Sequence, residues 1–179
     1  AFAKDYSAPR GHFYAVDDVV KTLRTGAPVT EELNLQPATC WACKSPDVPR
    51  MMAEVGIEKF YSSKWSVFGS EIVNPIGCAD CHNPENMNLA ISRPALAEAY
   101  DRQGRDIGKT TIQERRSLAC AQCHVEYYFK GDGKYLTFPW DKGMSMEQIE
   151  NYYDEIEFKD WVHTLSKAPM LKAQHPDYE

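Results

Sequence analysis

No apolar run in the 179-residue chain approaches the roughly 18 residues that a membrane-crossing helix requires. Nor does it open with the charged and then apolar stretch of a secretory signal. It begins Ala1-Phe2-Ala3, which reads as a chain whose leader was cleaved or left out. Positive charge is also short. The formal net charge is −6, which argues against a nucleic-acid partner. It does not forbid an anionic substrate, because a local positive site can override the total. No unit of solenoid length repeats, and no linker is evident, so residues 1–179 read as one region. Finally, no cysteine lies outside three short pairs.

Those pairs organise the chain. They are Cys40-Trp41-Ala42-Cys43-Lys44, Cys78-Ala79-Asp80-Cys81-His82 and Cys120-Ala121-Gln122-Cys123-His124. Two thiols separated by two residues can each form a thioether to one haem, and the next residue then lies beside the iron. C-x-x-C-H runs read as c-type haem attachment. The other readings of such pairs are a disulfide, a zinc site or redox thiols. Against them, all six cysteines share one spacing, and each pair is followed at once by a nitrogen ligand.

The first motif has lysine where the other two have histidine. A lysine ligates iron only as the neutral amine; from a reference pKa of about 10.4, binding displaces a proton. Such a ligand suggests an iron held on one face and open on the other, the arrangement of catalytic rather than relay metals. Three haems in this length give one large apolar cofactor per roughly sixty residues. Little protein-only core is then expected, with much packing against porphyrin. Haem c in a soluble bacterial-type protein implies an oxidising, exported compartment, here the periplasm.

The predicted fold is mainly α with long loops and at most a short β-hairpin, arranged around closely packed haems. A short helix is expected over about 17–24, capped by Asp17 or Asp18 and ended by Gly26 and Pro28. A second is expected over about 48–60. Pro94 suits the first turn of a third, about 94–102. Thr111 and Glu114 fit a capping box for a helix running into the last motif. Lys-Gly-Asp-Gly-Lys between Tyr127 and Tyr135 suits a hairpin turn. Ser145 caps the longest helix, about 146–167.

His82 and His124 are the proximal ligands within their motifs. His12, His163 and His175 remain as candidates for the second nitrogen that a relay haem wants. His163 reads best as an ordinary residue of the last helix. His12 and His175 fall in loops, where ligands and catalytic groups concentrate.

Several runs together resemble the ammonia-forming pentahaem cytochrome c nitrite reductases. They are Arg10 to Val16, Leu23 to Pro28, Cys40 to Pro46, Cys120 to Phe129 and Pro169 to Pro176. The likeness follows the whole chain in order. The family carries two further C-x-x-C-H motifs and a long helical C-terminal part, so this chain matches its N-terminal half, with three of five haems.

The resemblance implies six-electron reduction of nitrite to ammonium at the Lys44 haem. It implies Arg24, Tyr127 and His175 around the bound nitrite, and His12 as the distal ligand of the haem at Cys120 and Cys123. It implies calcium held by the side chains of Glu126 and Gln174 and the carbonyls of Tyr127 and Lys172. It further implies a homodimer fed by a membrane-bound quinol-oxidising cytochrome c. The residue types suit these roles. Arginine is a permanent cation fit for an oxyanion, histidine donates protons near neutral pH, and calcium prefers oxygen. The rival readings are an electron-transfer multihaem cytochrome, which the lysine motif opposes, and a related reductase of hydroxylamine or sulfur oxyanions.

Overall fold

The structure, a computed structural model, describes residues 10–21 and 36–171. The chain packs as two compact units, one of residues 1–93 with 129–136 and one of residues 94–128 with 137–179. Among the described residues the architecture is mainly helical, with two small antiparallel sheets.

In the first unit, a 3₁₀ turn at His12–Tyr14 leads into α1, Ala15–Lys21. The helix therefore starts before the aspartates expected to cap it. Asp17 instead pairs with Lys21 one turn on, and Asp18 accepts from Arg10. The expected helix over 48–60 is two helices, α2 (Asp47–Val55) and α3 (Ile57–Ser62). Between them Gly56 takes φ 89°, ψ 144°, a conformation outside the helix that a residue with a Cβ rarely adopts. Met51, Met52 and Phe60 are nevertheless all buried, so the apolar pattern runs across the break. The second attachment motif forms a single helical turn, α4, Cys78–Cys81.

In the second unit, α5 runs Pro94–Arg102, with proline at its first position. Helix α6, Ile112–Ala121, starts at Thr111, whose hydroxyl accepts from the Glu114 N–H. The Glu114 carboxylate accepts instead from Tyr100 and Arg105. A tight turn joins β1, Tyr128–Lys130, to β2, Tyr135–Thr137, as the Lys-Gly-Asp-Gly-Lys run predicts, and residues 129–136 of this hairpin belong to the first unit.

Helix α7 is capped by Ser145 but spans only Met146–Glu155. The expected continuation to 167 is instead a second hairpin. Here β3, Trp161–Val162, pairs antiparallel with β4, Pro169–Met170. Glu157 (φ 51°) and Lys167 (φ 61°) adopt left-handed backbone, which no helix continues through. His163 therefore lies in the turn of this hairpin, where its Nδ1 accepts from the Ser166 N–H.

Each unit has an apolar core of its own. Trp41, Phe60, Tyr61 and Ile72 are fully buried in the first, and Tyr100, Leu118, Trp140 and Ile149 in the second. Large rings explain this, since one buried aromatic removes some 150–250 Å² from water.

Candidate haem-attachment site

In the first motif the backbone coils tightly. Pro37 is extended and leads into a 3₁₀ turn at Ala38–Trp41. The Cys40 N–H donates to Pro37 O (3.2 Å), Ala42 N–H to Thr39 O (3.0 Å) and Lys44 N–H to Trp41 O (2.9 Å). Every link spans three residues, and in such a coil residues i and i+3 eclipse. Cys40 and Cys43 thus come to one side, with Lys44 directly following.

The core anchors this coil. The Trp41 indole is fully buried, stacks on Trp65 with centroids 3.3 Å apart and donates to Trp65 O at 3.1 Å. The Thr39 hydroxyl donates to Lys134 O at 2.6 Å. Lys44 itself is half-buried.

Cys78 and Cys81 sit at the ends of one helical turn, where residues three apart are neighbours. The Asp80 carboxylate accepts from the Gly77 N–H at 2.8 Å and so holds the start of that turn. His82 leaves the helix with extended backbone. Its Nδ1 lies 2.7 Å from Met87 O. A carbonyl can only accept, so Nδ1 carries the proton and Nε2 is the nitrogen left for a metal.

One buried arginine joins these two motifs. Arg93 Nε donates to Ala42 O at 2.8 Å and Nη2 to Ser45 O at 2.8 Å. Nη2 also donates to the Asp80 carboxylate, forming an ion pair whose side chains are 2% and 7% exposed. Asp47 makes a second tie. Its carboxylate accepts from the Val73 N–H (3.0 Å), the Asn74 N–H (3.0 Å) and the Asn74 amide (2.9 Å). Burial pushes this carboxyl upward, but the bonds from Asn74, Val73 and Ser45 outweigh it and hold it below the ordinary range. Arg93, Asp80 and Asp47 were not recognisable as site residues in the sequence. An aspartate inside an attachment loop was the one available hint, since a carboxylate there must find a partner once buried.

The third motif closes α6 in the second unit. Cys123 N–H and His124 N–H both donate to Cys120 O, at 3.1 and 3.0 Å. His124 is exposed and Tyr127 half-buried. Glu126 is buried, and its carboxylate accepts from the Tyr153 hydroxyl at 3.0 Å. Burial, and then the charge of Glu126, push the Tyr153 phenol well above its ordinary value. Tyr128 is raised too, by burial and by its bond to the Tyr152 hydroxyl.

His12 is exposed on its 3₁₀ turn in the first unit. Arg24, Lys172, Gln174 and His175 lie outside the described residues. The structure thus brings the first two motifs together in one unit, and places Glu126 and Tyr127 just after the third.

The donor chemistry fits covalent haem. None of the six cysteines is buried. Among the described residues, no three His, Cys, Asp or Glu side chains gather as a metal cage. A structural zinc wants four such donors, whereas a c-type haem needs one thiol pair and one axial nitrogen per site. The coiled motifs present the thiol pair, and His82 already has its other ring nitrogen satisfied.

Comparison with known proteins agrees. The family model described as cytochrome c552 matches residues 1–179. Cytochrome c-552 of Parabacteroides distasonis is 70% identical over 179 residues, covering 100% of this chain and 36% of that protein. Its counterpart in Bacteroides fragilis is 69% identical with the same coverage, and that of Desulfotalea psychrophila is 56% identical over 99% of the chain. The chain thus spans about a third of the length of the curated relatives it matches, 36% in the first two. A solved structure of cytochrome c nitrite reductase from Desulfovibrio desulfuricans, described with two calcium sites in its catalytic subunit NrfA, superposes with a TM-score of 0.84. It is 37% identical, and the match covers 94% of this chain and 39% of that one. With its three thiol pairs in the order read above, the chain belongs to the cytochrome c552 family.

Proposed function

We propose that the chain is the N-terminal part of a periplasmic enzyme that reduces nitrite to ammonium with six electrons. The observation that carries this reading is the Cys40–Lys44 coil. It presents two thiols on one side and then a lysine where the other two motifs end in histidine. The likeness to a solved cytochrome c nitrite reductase, at 37% identity, supports it. The complete protein would carry five haems c, three on the cysteine pairs of this chain.

Cys40, Cys43 and Lys44 would hold a haem, which would supply the redox-active iron at which nitrite is reduced. Arg24 binds and orients the nitrite oxygens through its planar, permanently charged fork. His175 donates protons to an oxygen as the N–O bond lengthens, where negative charge develops. Tyr127 positions the substrate with its hydroxyl. His82 and His124 would hold the haems of the second and third motifs, with His12 as a further nitrogen donor to the third. Glu126 and Gln174, with the carbonyls of Tyr127 and Lys172, would hold calcium, which would fix the Tyr127 and Gln174 loops. Electrons come from a membrane-bound quinol-oxidising cytochrome c, and the complete enzyme is a homodimer.

The test is Lys44→His in the complete protein, with nitrite consumption and ammonium formation measured beside the absorption spectrum. The variant should keep every covalent haem by denaturing mass spectrometry, shift the spectroscopic signature of the haem at Cys40 and Cys43, and lose most ammonium formation. A wild type that forms no ammonium from nitrite, or whose haems are all low-spin, would sink the reading.

A further inference from the structure

We infer that Arg93 is a positioning residue for Lys44, and that through Asp80 it ties the geometry of the first attachment motif to that of the second. The inference deepens the proposed function and rests on its assignment of Lys44 as an iron ligand.

The argument starts from the two carbonyls that Arg93 engages. Ala42 lies two residues before Lys44 and Ser45 one after it. Arg93 Nε binds the first and Nη2 the second, each at 2.8 Å. A guanidinium is planar, so its donors point in fixed directions. Two carbonyls held by one plane cannot rotate independently. The backbone between them, and with it the Cα–Cβ direction of Lys44, is set. Lysine is a long side chain with much rotamer freedom to lose when its amine is held at one point. A fixed base lowers that cost and keeps the amine on one face of the ring.

The third partner makes the device more than a loop clamp. The Asp80 carboxylate receives Nη2 and, through its other oxygen, the Gly77 N–H that begins the second motif's helical turn. Both charges are buried, at 2% and 7% side-chain exposure. A buried pair of this kind is often no more stabilising than apolar residues of the same shape. Its effect here is on geometry. A charge change at Asp80, inside the second motif, is transmitted to the backbone on either side of Lys44.

The test uses the complete haem-loaded protein. Asp80→Asn is the informative variant, because asparagine still offers an oxygen to Arg93 while the charge is gone. Arg93→Gln removes the clamp. Arg102→Gln serves as the control, since it breaks the Arg102–Asp141 pair within the second unit. Each variant is read by haem count in denaturing mass spectrometry, by the spectroscopic signature and reduction potential of the lysine-ligated haem, and by kcat and KM for nitrite.

Both Asp80→Asn and Arg93→Gln should keep the haem count. Both should shift the signature and potential of the Lys44 haem and lower kcat several-fold with KM little changed. Arg102→Gln should lower the melting temperature without moving that signature. If Arg93→Gln does not fold, Asp80→Asn decides. A signature of the Lys44 haem unchanged in Asp80→Asn, with only the second-motif haem altered, overturns the inference and leaves the proposed function standing. A wild type with no lysine-ligated haem overturns both.

Discussion

The His82 ring is held by the backbone of Met87, whose carbonyl oxygen takes the Nδ1 proton at 2.7 Å. Met87 can offer that oxygen because its own backbone is left-handed, at φ 60°. An antiparallel bridge between His82 and Leu89 and the bond from Ala90 N–H to Cys81 O close the loop on both sides. The tautomer of His82 thus rests on one strained residue, which is 57% exposed and contributes little packing.

That arrangement predicts the behaviour of substitutions at Met87. Met87→Gly should preserve the carbonyl and be neutral or slightly stabilising, because glycine adopts this conformation without penalty. Met87→Val should be destabilising, because a β-branched residue tolerates left-handed backbone less well than the methionine already strained there. It should also weaken the low-spin bands of the haem at Cys78 and Cys81 in the complete protein. Thermal melting and the absorption spectrum check both, and equal spectra for the two variants would rule out a backbone role for Met87.

Asp47 predicts a pH dependence. Its folded carboxyl titrates below the ordinary value of about 3.9, so its ionised form is the one the fold favours. The stability it contributes is fully present above the unfolded value and is lost as pH falls through the lower folded value. Asp47→Asn should therefore cost ~1–3 kcal/mol at pH 7, where an amide nitrogen or a single oxygen faces several donors. The gap between variant and wild type should narrow steadily as the pH falls below about 5. Urea midpoints for both proteins across that range test it, and a constant gap would show that the charge is irrelevant.

Local signals made much of this fold legible. Pro94, Thr111 and Ser145 each mark the helix start where it occurs, because the first turn of a helix has its own chemistry. The three thiol pairs were legible from their shared spacing alone. The breaks were harder to read. Apolar periodicity continues across Gly56, since both flanking helices bury the same side. Past Glu155 it continues through Trp161 and Leu165, yet these are 46% and 88% exposed. Periodicity reports where apolar residues recur, not whether a backbone bends between them. The Arg93–Asp80 pair was invisible for another reason. No period relates the two residues, and arginine before a proline-started helix ordinarily reads as surface. Of the substrate and calcium residues implied by the resemblance, Tyr127 and Glu126 lie in the described structure, while Arg24, Lys172, Gln174 and His175 do not.

Gly56 offers a clean test of the first break. A Cβ there meets nothing within 4 Å, so any cost of Gly56→Ala comes from the backbone at φ 89°. A forced conformation of this kind costs on the order of 1–3 kcal/mol. Gly133→Ala is the comparison, because that glycine does not need a left-handed backbone and its Cβ would reach Ser62 at an ordinary 4.0 Å. The first variant should melt several degrees lower and the second close to wild type. Equal melting would mean that α2 and α3 can straighten into the single helix read from periodicity.

The calcium assignment predicts a response to chelation that runs through Glu126. This carboxylate is buried, and a buried charge needs compensation. The Tyr153 hydroxyl supplies part of it at 3.0 Å, and with its phenol pushed well above the ordinary value it remains a proton donor throughout the working range. A divalent cation bound by Glu126 and the Tyr127 carbonyl would supply more. Removing calcium from the complete protein should then lower its melting temperature. The loss is ~2.7 kcal/mol if calcium had stood at a hundred times its dissociation constant. Glu126→Gln should start lower and respond less to the chelator. Tyr153→Phe should keep the response but need more calcium for the same protection, because the carboxylate has lost the donor that orients it. Calorimetry with graded calcium separates the three proteins. An undiminished chelator response in Glu126→Gln would place the cation elsewhere in the complete protein, and the segment after His124 would then owe its order to the Glu126–Tyr153 bond rather than to a metal.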